Sequence, residues 1–303
     1  MGAERPVGWA KVLAVSVASV CAISVAAVWV RQAEAPSSVT AFWRLTLSAL
    51  LLLAVRPRQS VVLERQAWPW AVVSGVMLAV HFGTWMASLE HTSLLSSTLL
   101  VTTTPVWLAL VARWIPGEPR LGARGVAGLG VAVAGGAGLL WGSRGAVGVE
   151  EVTAWGSLLA WLGAVSAGAY WWAGRVGRRS AGVESLSFWS TLVAALALWL
   201  WILVQGERWL TGYDSSTWSR WLLLAAVPQL VGHNGLLWLL RHWSATAVSV
   251  LVLLEPVVAT LFGQWAGLAS PSPSSWLWSL LTVAGVLLVV RRAAGDVSRE
   301  TAS

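Results

Sequence analysis

In the stretch "VSVLVLLEPVVATLFGQW" (248–265), Glu255 stands directly before Pro256, twelfth in an apolar window of 22 residues (244–265). An ionised acid at mid-membrane costs about 2.5 to 3.5 kcal/mol on insertion scales, and a proline removes the donor that would bond the carbonyl of Val252. A carboxylate at such a break can exchange a proton or hold a cationic group, or it can be a protonated or ion-paired structural acid. Arg44, sixth in its own window (39–55), either snorkels to the headgroups or faces inward to hold an anion, Glu255 included. These two are the candidates for a coupling role, in which a buried charge takes up and releases a proton or another charged species.

His81 and His233 sit in two further windows. Trp85 and Ser88 share a helical face with His81, Gln229 shares one with His233, and Asn234 adjoins it. A polar face in lipid points to a cavity or to a partner helix. Trp161, with Trp107, either walls a pocket for an apolar solute or packs against neighbouring helices. The candidate substrate contacts are therefore His81, Trp85, Trp161, His233 and Asn234. Two histidines with no third ligand nearby do not make a metal site, and no motif asks for a cofactor. Cys21 is the single cysteine, which excludes a disulfide framework and a cysteine zinc site.

The windows that carry these residues define the class. Hydrophobic residues make up 57% of the 303 and charged residues 11%, with a mean hydropathy of +0.70. So few charges cannot cover a soluble domain of this size. The net charge of +7 points to anionic lipid. No basic run interleaved with stacking residues offers a nucleic-acid groove. Stretches of the length needed to cross a bilayer lie near 12–30, 39–55, 68–87, 94–114, 123–141, 154–174, 186–204, 218–240, 244–265 and 275–290. They are continuously apolar, without β-barrel alternation. The first is longer than a signal-peptide core and lacks a cleavage site, so it is expected to remain as span 1.

Fifteen basic residues fall on the side of the N-terminus and four on the other: Arg31, Arg144, Arg208 and Arg220. That asymmetry predicts ten spans with both termini cytoplasmic, in a cell (inner) membrane. Many of the 24 tryptophans fall at span ends, among them Trp9, Trp68, Trp70, Trp171, Trp172, Trp218 and Trp221, where an aromatic belt is expected. Gly128, Ala132 and Gly136 recur at four-residue spacing in span 5. That spacing allows close helix contact within the chain or between protomers of a homo-oligomer.

The halves match in register. "AFWRLTLSALLLL" (41–53) is similar to "SFWSTLVAALALW" (187–199), and "LAVHFG" (78–83) to "LVGHNG" (230–235). His91 precedes Pro105 by the same interval as His242 precedes Pro256. Five spans per copy force the second copy through the membrane upside down, and Pro105 and Pro256 fall in equivalent mid-span positions as helix breaks. The expected fold is an all-α integral membrane protein of ten transmembrane helices in two inverted five-helix repeats, 1–150 and 151–303.

These residues resemble EamA-type carriers of the drug/metabolite transporter superfamily. The likeness rests on the arginine in "FWRLTLSALL", on "TTTPVWLALVARWIPGE" with Gly117–Glu118, and on "SAGAYWWAGRVGRR" and "LLEPVVATLFGQW". Two departures stand out: Val20–Cys21 where such carriers often show Trp-Gly, and "GLASPSPSS" where Gly-Glu usually follows span 9. The resemblance implies a secondary carrier, with a small-molecule substrate, the lipid bilayer and protons as partners. An exporter of small metabolites such as amino acids is the expectation. An intramembrane enzyme would need a nucleophile–base pair or a metal cluster, and no H-E-x-x-H or G-x-S-x-G is present. A channel would show charge rings or filter loops. The site is predicted between the repeats, lined by spans 1, 3, 4, 6, 8 and 9.

Overall fold

In lipid every backbone polar group must be bonded within its own segment, so long apolar stretches become helices. The computed structural model describes residues 8–92, 94–114, 118–142, 153–265 and 273–300, and helices but no strands occur among them. Helices α1 (Trp9–Ser24) and α2 (Ala26–Gln32) form the first rod, α3 (Ser37–Val55) the second and α4 (Trp68–His91) the third. The fourth is α5 (Leu94–Val101) with α6 (Thr104–Val111), and the fifth is α7 (Ala123–Gly142). The second half begins with α8 (Ala154–Gly177) and α9 (Val183–Gln205), rods six and seven. Rod eight joins α10 (Ser215–Leu224), a π-helical segment (Ala225–His233) and α11 (Asn234–Leu239). Helices α12 (Ala245–Val252) and α13 (Glu255–Trp265) make rod nine, and α14 (Pro273–Glu300) makes rod ten. Five rods are long and apolar enough to cross a membrane whole, and shorter apolar helices cover 96–111, 245–259 and 276–289. The chain is an all-α multi-pass membrane protein.

Four windows expected as single helices are interrupted, the first of them at Val25 between α1 and α2. Rod four breaks at Thr102–Thr103 and rod nine at Leu253–Leu254, with Pro105 and Pro256 second in the helix that follows each break. Pro105 cannot donate to Val101, and the hydroxyl of Thr104 supplies the missing donor at 2.9 Å. Rod eight widens into π geometry around Pro228, which also lacks a donor. The expected boundary at 150/151 and the loops containing Gly117 and "GLASP" lie outside the described residues.

Packing obeys the inverted repeat. Rod three lies along rod six, and rod one along rod eight, its counterpart pair. Rods two and seven, four and nine, and five and ten each pack on their own equivalents. At the start of α8, Thr153 donates its hydroxyl to the carbonyl of His91, and Arg31 at the end of α2 donates to Leu89 and Thr92. The first rod of the second half thus begins where the first rod of the chain finishes, which is the inversion. The small residues of α7 are used within the chain: a methyl group on Gly128 would stand 2.9 Å from the carbonyl of Gly285 in α14. Tryptophans do not all form a belt. Trp221 is fully buried, stacked beside Trp43, and Trp171 is buried at 3% exposure.

Candidate functional site

Arg44 stands in the middle of α3 and is completely buried, so it does not snorkel. Its guanidinium lies 4.1 Å from the ring centre of Phe82 in α4, a cation–π contact out of reach of water. Nε donates to the side-chain oxygen of Gln229 at 3.2 Å, while both terminal nitrogens are buried with no hydrogen-bond partner among the described residues. Gln229 belongs to the π segment, whose wider turn presents it and His233 toward the first repeat. A guanidinium normally fills its planar fork with a carboxylate or phosphate. Here both terminal nitrogens keep their donors unused among the described residues.

The other polar groups converge on the same place. A small cavity of about 40 Å³ is lined by Arg44, His81, Trp85, Thr104, Trp171, His233 and Glu255, with Ile23, Ala26, Val101, Ala167, Leu236 and Val252 as its apolar wall. His81 and His233 stand 6.3 Å apart between ring centres. They occupy matched positions of the two repeats, so the pseudo-two-fold axis passes between them. Each imidazole stacks on an indole, His81 on Trp85 and His233 on Trp171. Nδ1 of His81 lies 2.9 Å from the carbonyl of Gly163. A carbonyl only accepts, so Nδ1 carries the hydrogen and Nε2 is left to accept from the cavity. Nδ1 of His233 and Nε1 of Trp85 are buried without partners among the described residues.

Glu255 opens α13 immediately after the break in rod nine and is 6% exposed. Its carboxylate makes no ion pair with Arg44 among the described residues, although both face the cavity. The repeat register makes Thr104 its counterpart, each the residue before its proline. Thr104 closes its own break by hydrogen bonding, whereas an ionised Glu255 has no proton with which to do so. A space of about 40 Å³ admits two or three waters but no organic solute. The arrangement therefore offers a cationic donor, an acid and two imidazoles around a space that must widen before anything larger enters.

Two predicted contacts lie elsewhere. Trp161 is 37% exposed and meets Trp107 edge to face at 4.8 Å. The inward stripe of α8 runs through Ala160, Ala164, Ala167 and Trp171, and Trp161 is about 100° round from it. Asn234, one residue after His233, is turned away by the same angle. It accepts a hydrogen bond from Ser187 of α9 and lines a side groove with Lys11, Arg56 and Trp238. Trp171, Gln229, Phe82 and Thr104 belong to the site without having been singled out for it. Gln229 had a signal in its four-residue spacing from His233; Trp171 was hidden among tryptophans assigned to the headgroups.

A model of the EamA-like transporter family matches residues 8–141 and again 154–291. No curated protein matches the chain. A solved structure titled "Crystal structure of protein" is 22% identical, with a TM-score of 0.77 over 95% of this chain and 99% of that one. At that identity the likeness is one of fold.

Proposed function

The chain belongs to the EamA-like transporter family, and from that premise we propose a secondary carrier that exports small metabolites such as amino acids by alternating access. The observation that carries the proposal is the cavity on the pseudo-two-fold axis. Buried Arg44 and buried Glu255 face it from opposite repeats, and both terminal nitrogens of Arg44 have no hydrogen-bond partner among the described residues. Isolated charges in a membrane interior are costly and are retained where they meet solutes or ions. A substrate ammonium and a proton would compete for Glu255, and a substrate carboxylate suits the terminal nitrogens of Arg44. Rocking of the repeats about their axis would open the cavity to one side at a time. The excess of basic residues near Trp9 supports a protein of the inner membrane with that end in the cytoplasm.

Purified protein in lipid vesicles tests this reading. An imposed pH gradient should drive uptake of amino acids, and Glu255→Gln should abolish that drive while downhill exchange persists. Gradient-driven flux of normal size in the variant would remove Glu255 from the coupling role. Absence of flux for every small metabolite tried with intact protein would remove the carrier reading itself.

A further inference from the structure

Two arginines occupy corresponding places at the two ends of the molecule. Arg31, in the last turn of α2, donates to the carbonyl of Thr92 at 2.8 Å. Arg175, in the last turn of α8, donates to the carbonyl of Trp243. The interval that pairs His91 with His242 also pairs Thr92 with Trp243, so the two clasps are counterparts. Each joins the first rod of a repeat to the entrance of the same repeat's broken rod, α5 in one half and α12 in the other.

At the Trp9 end a further group joins in. Glu118, from the loop between α6 and α7, has a side chain with no exposure at all. Its two oxygens accept from the backbone of Ala245 at 3.2 Å and of Thr246 at 2.7 Å, and one lies 3.6 Å from Nε of Arg175. These amides are the first two of α12, and the third, of Ala247, is bonded by the hydroxyl of Ser244. A carboxylate there satisfies orphan donors and meets the positive end of the helix. Unlike the arginine clasps, this contact crosses from the first repeat to the second. The counterpart of Glu118 in the sequence is Ala269, and "AGLASPSPSS" (266–275) contains no acid. At the opposite end a hollow of about 570 Å³ is lined by Arg31, Met86, Glu90 and Val30, the last one helical turn from Ala26 of the central cavity.

From this asymmetry we propose that Glu118 is the latch of a one-sided gate. It holds α12 shut over the Trp9 end of the cavity, and the loop at the end carrying Arg31 where its counterpart would stand contains no acid. The resting protein is then biased toward opening at the Arg31 end. The break at Leu253–Leu254 lets α12 move without α13, so the gate can swing while Glu255 keeps its place. This inference rests on the carrier reading for its consequence, but the conformational bias is measurable without any solute.

Side-selective labelling reads the bias. A cysteine at the cavity-lining Val252, in a Cys21→Ser background, is exposed to a membrane-impermeant maleimide from either side of oriented vesicles. Loss of one charge-assisted hydrogen-bond pair is worth about tenfold in the gate equilibrium. Glu118→Gln should therefore raise labelling from the Trp9 end by about that factor and lower it from the other. Folded Glu118→Gln with unchanged rates on both sides overturns the latch, whatever the flux. If that variant does not fold, Glu118→Asp keeps the charge but falls a methylene short of both amides. It should shift labelling in the same direction to a smaller extent, and unchanged rates in folded Glu118→Asp overturn the proposal equally. Shifted labelling without flux in any assay would leave the latch standing and remove the carrier reading.

Discussion

At the residue scale the site is a set of unsatisfied bonds. Arg44 uses one of its donors on Gln229 and its face on Phe82, leaving its terminal nitrogens toward the cavity. Lysine would keep the charge but lose the fork and the stacking, so Arg44→Lys should lower flux sharply while leaving the melting temperature nearly unchanged. Unimpaired flux in Arg44→Lys would mean that a point charge suffices. The two predicted tryptophans separate cleanly. Trp85 is stacked on His81 in the cavity wall, and truncating a buried aromatic contact of this kind commonly costs about tenfold or more in binding. Trp161 touches Trp107 on the outer side of α8. Apparent affinity measured by competition should fall in Trp85→Ala and stay within about twofold of the parent in Trp161→Ala. The reverse order would put the solute path between rods four and six instead of on the axis.

At the scale of elements, interruptions and close contacts divide the work. The broken rods four and nine and the π segment of rod eight stand around the cavity, where irregular backbone is tolerated because protein covers it. Among the described residues rods five and ten carry none of the cavity lining, and they pack tightly on each other. A side chain at Gly285 would collide with the backbone of Ala132 and the carbonyl of Gly128. Overpacking of this type costs about 1 to 3 kcal/mol. Gly285→Val should thus lower the melting temperature in detergent while leaving the apparent affinity of the surviving folded fraction unaltered. A stable Gly285→Val protein with lost affinity would show that rods five and ten act on the site directly.

For the whole molecule, inversion makes each end a repeat of the other with the chain reversed. Counterparts meet on the axis as His81 and His233, and they part at the ends as Arg31 and Arg175. The excess of basic residues near one end predicts the orientation in the membrane. Cysteines placed beside Arg31 and Arg208 should react with an impermeant reagent added outside intact cells, and those beside Arg58 and Arg178 should not. The opposite pattern would invert the protein, and a mixed pattern would break the count of spans.

Position along each helix was legible from the sequence, and direction around it was not. The positions of Glu255, Arg44 and the two histidines along their windows follow from counting residues, and the inverted repeat follows from five spans per matched half. In a soluble helix the apolar stripe marks the buried face. Here lipid is as apolar as the protein interior, so the neighbours His233 and Asn234 carry no mark of which faces inward. Only packing of rod three on six and one on eight turned His81, Trp85 and His233 to the axis and left Trp161 and Asn234 off it. The same holds for Glu118. Its carboxylate is adjacent to α12 in space and 127 positions away in the chain, so nothing short of the tertiary structure could join a loop acid to the first amides of a distant half-helix.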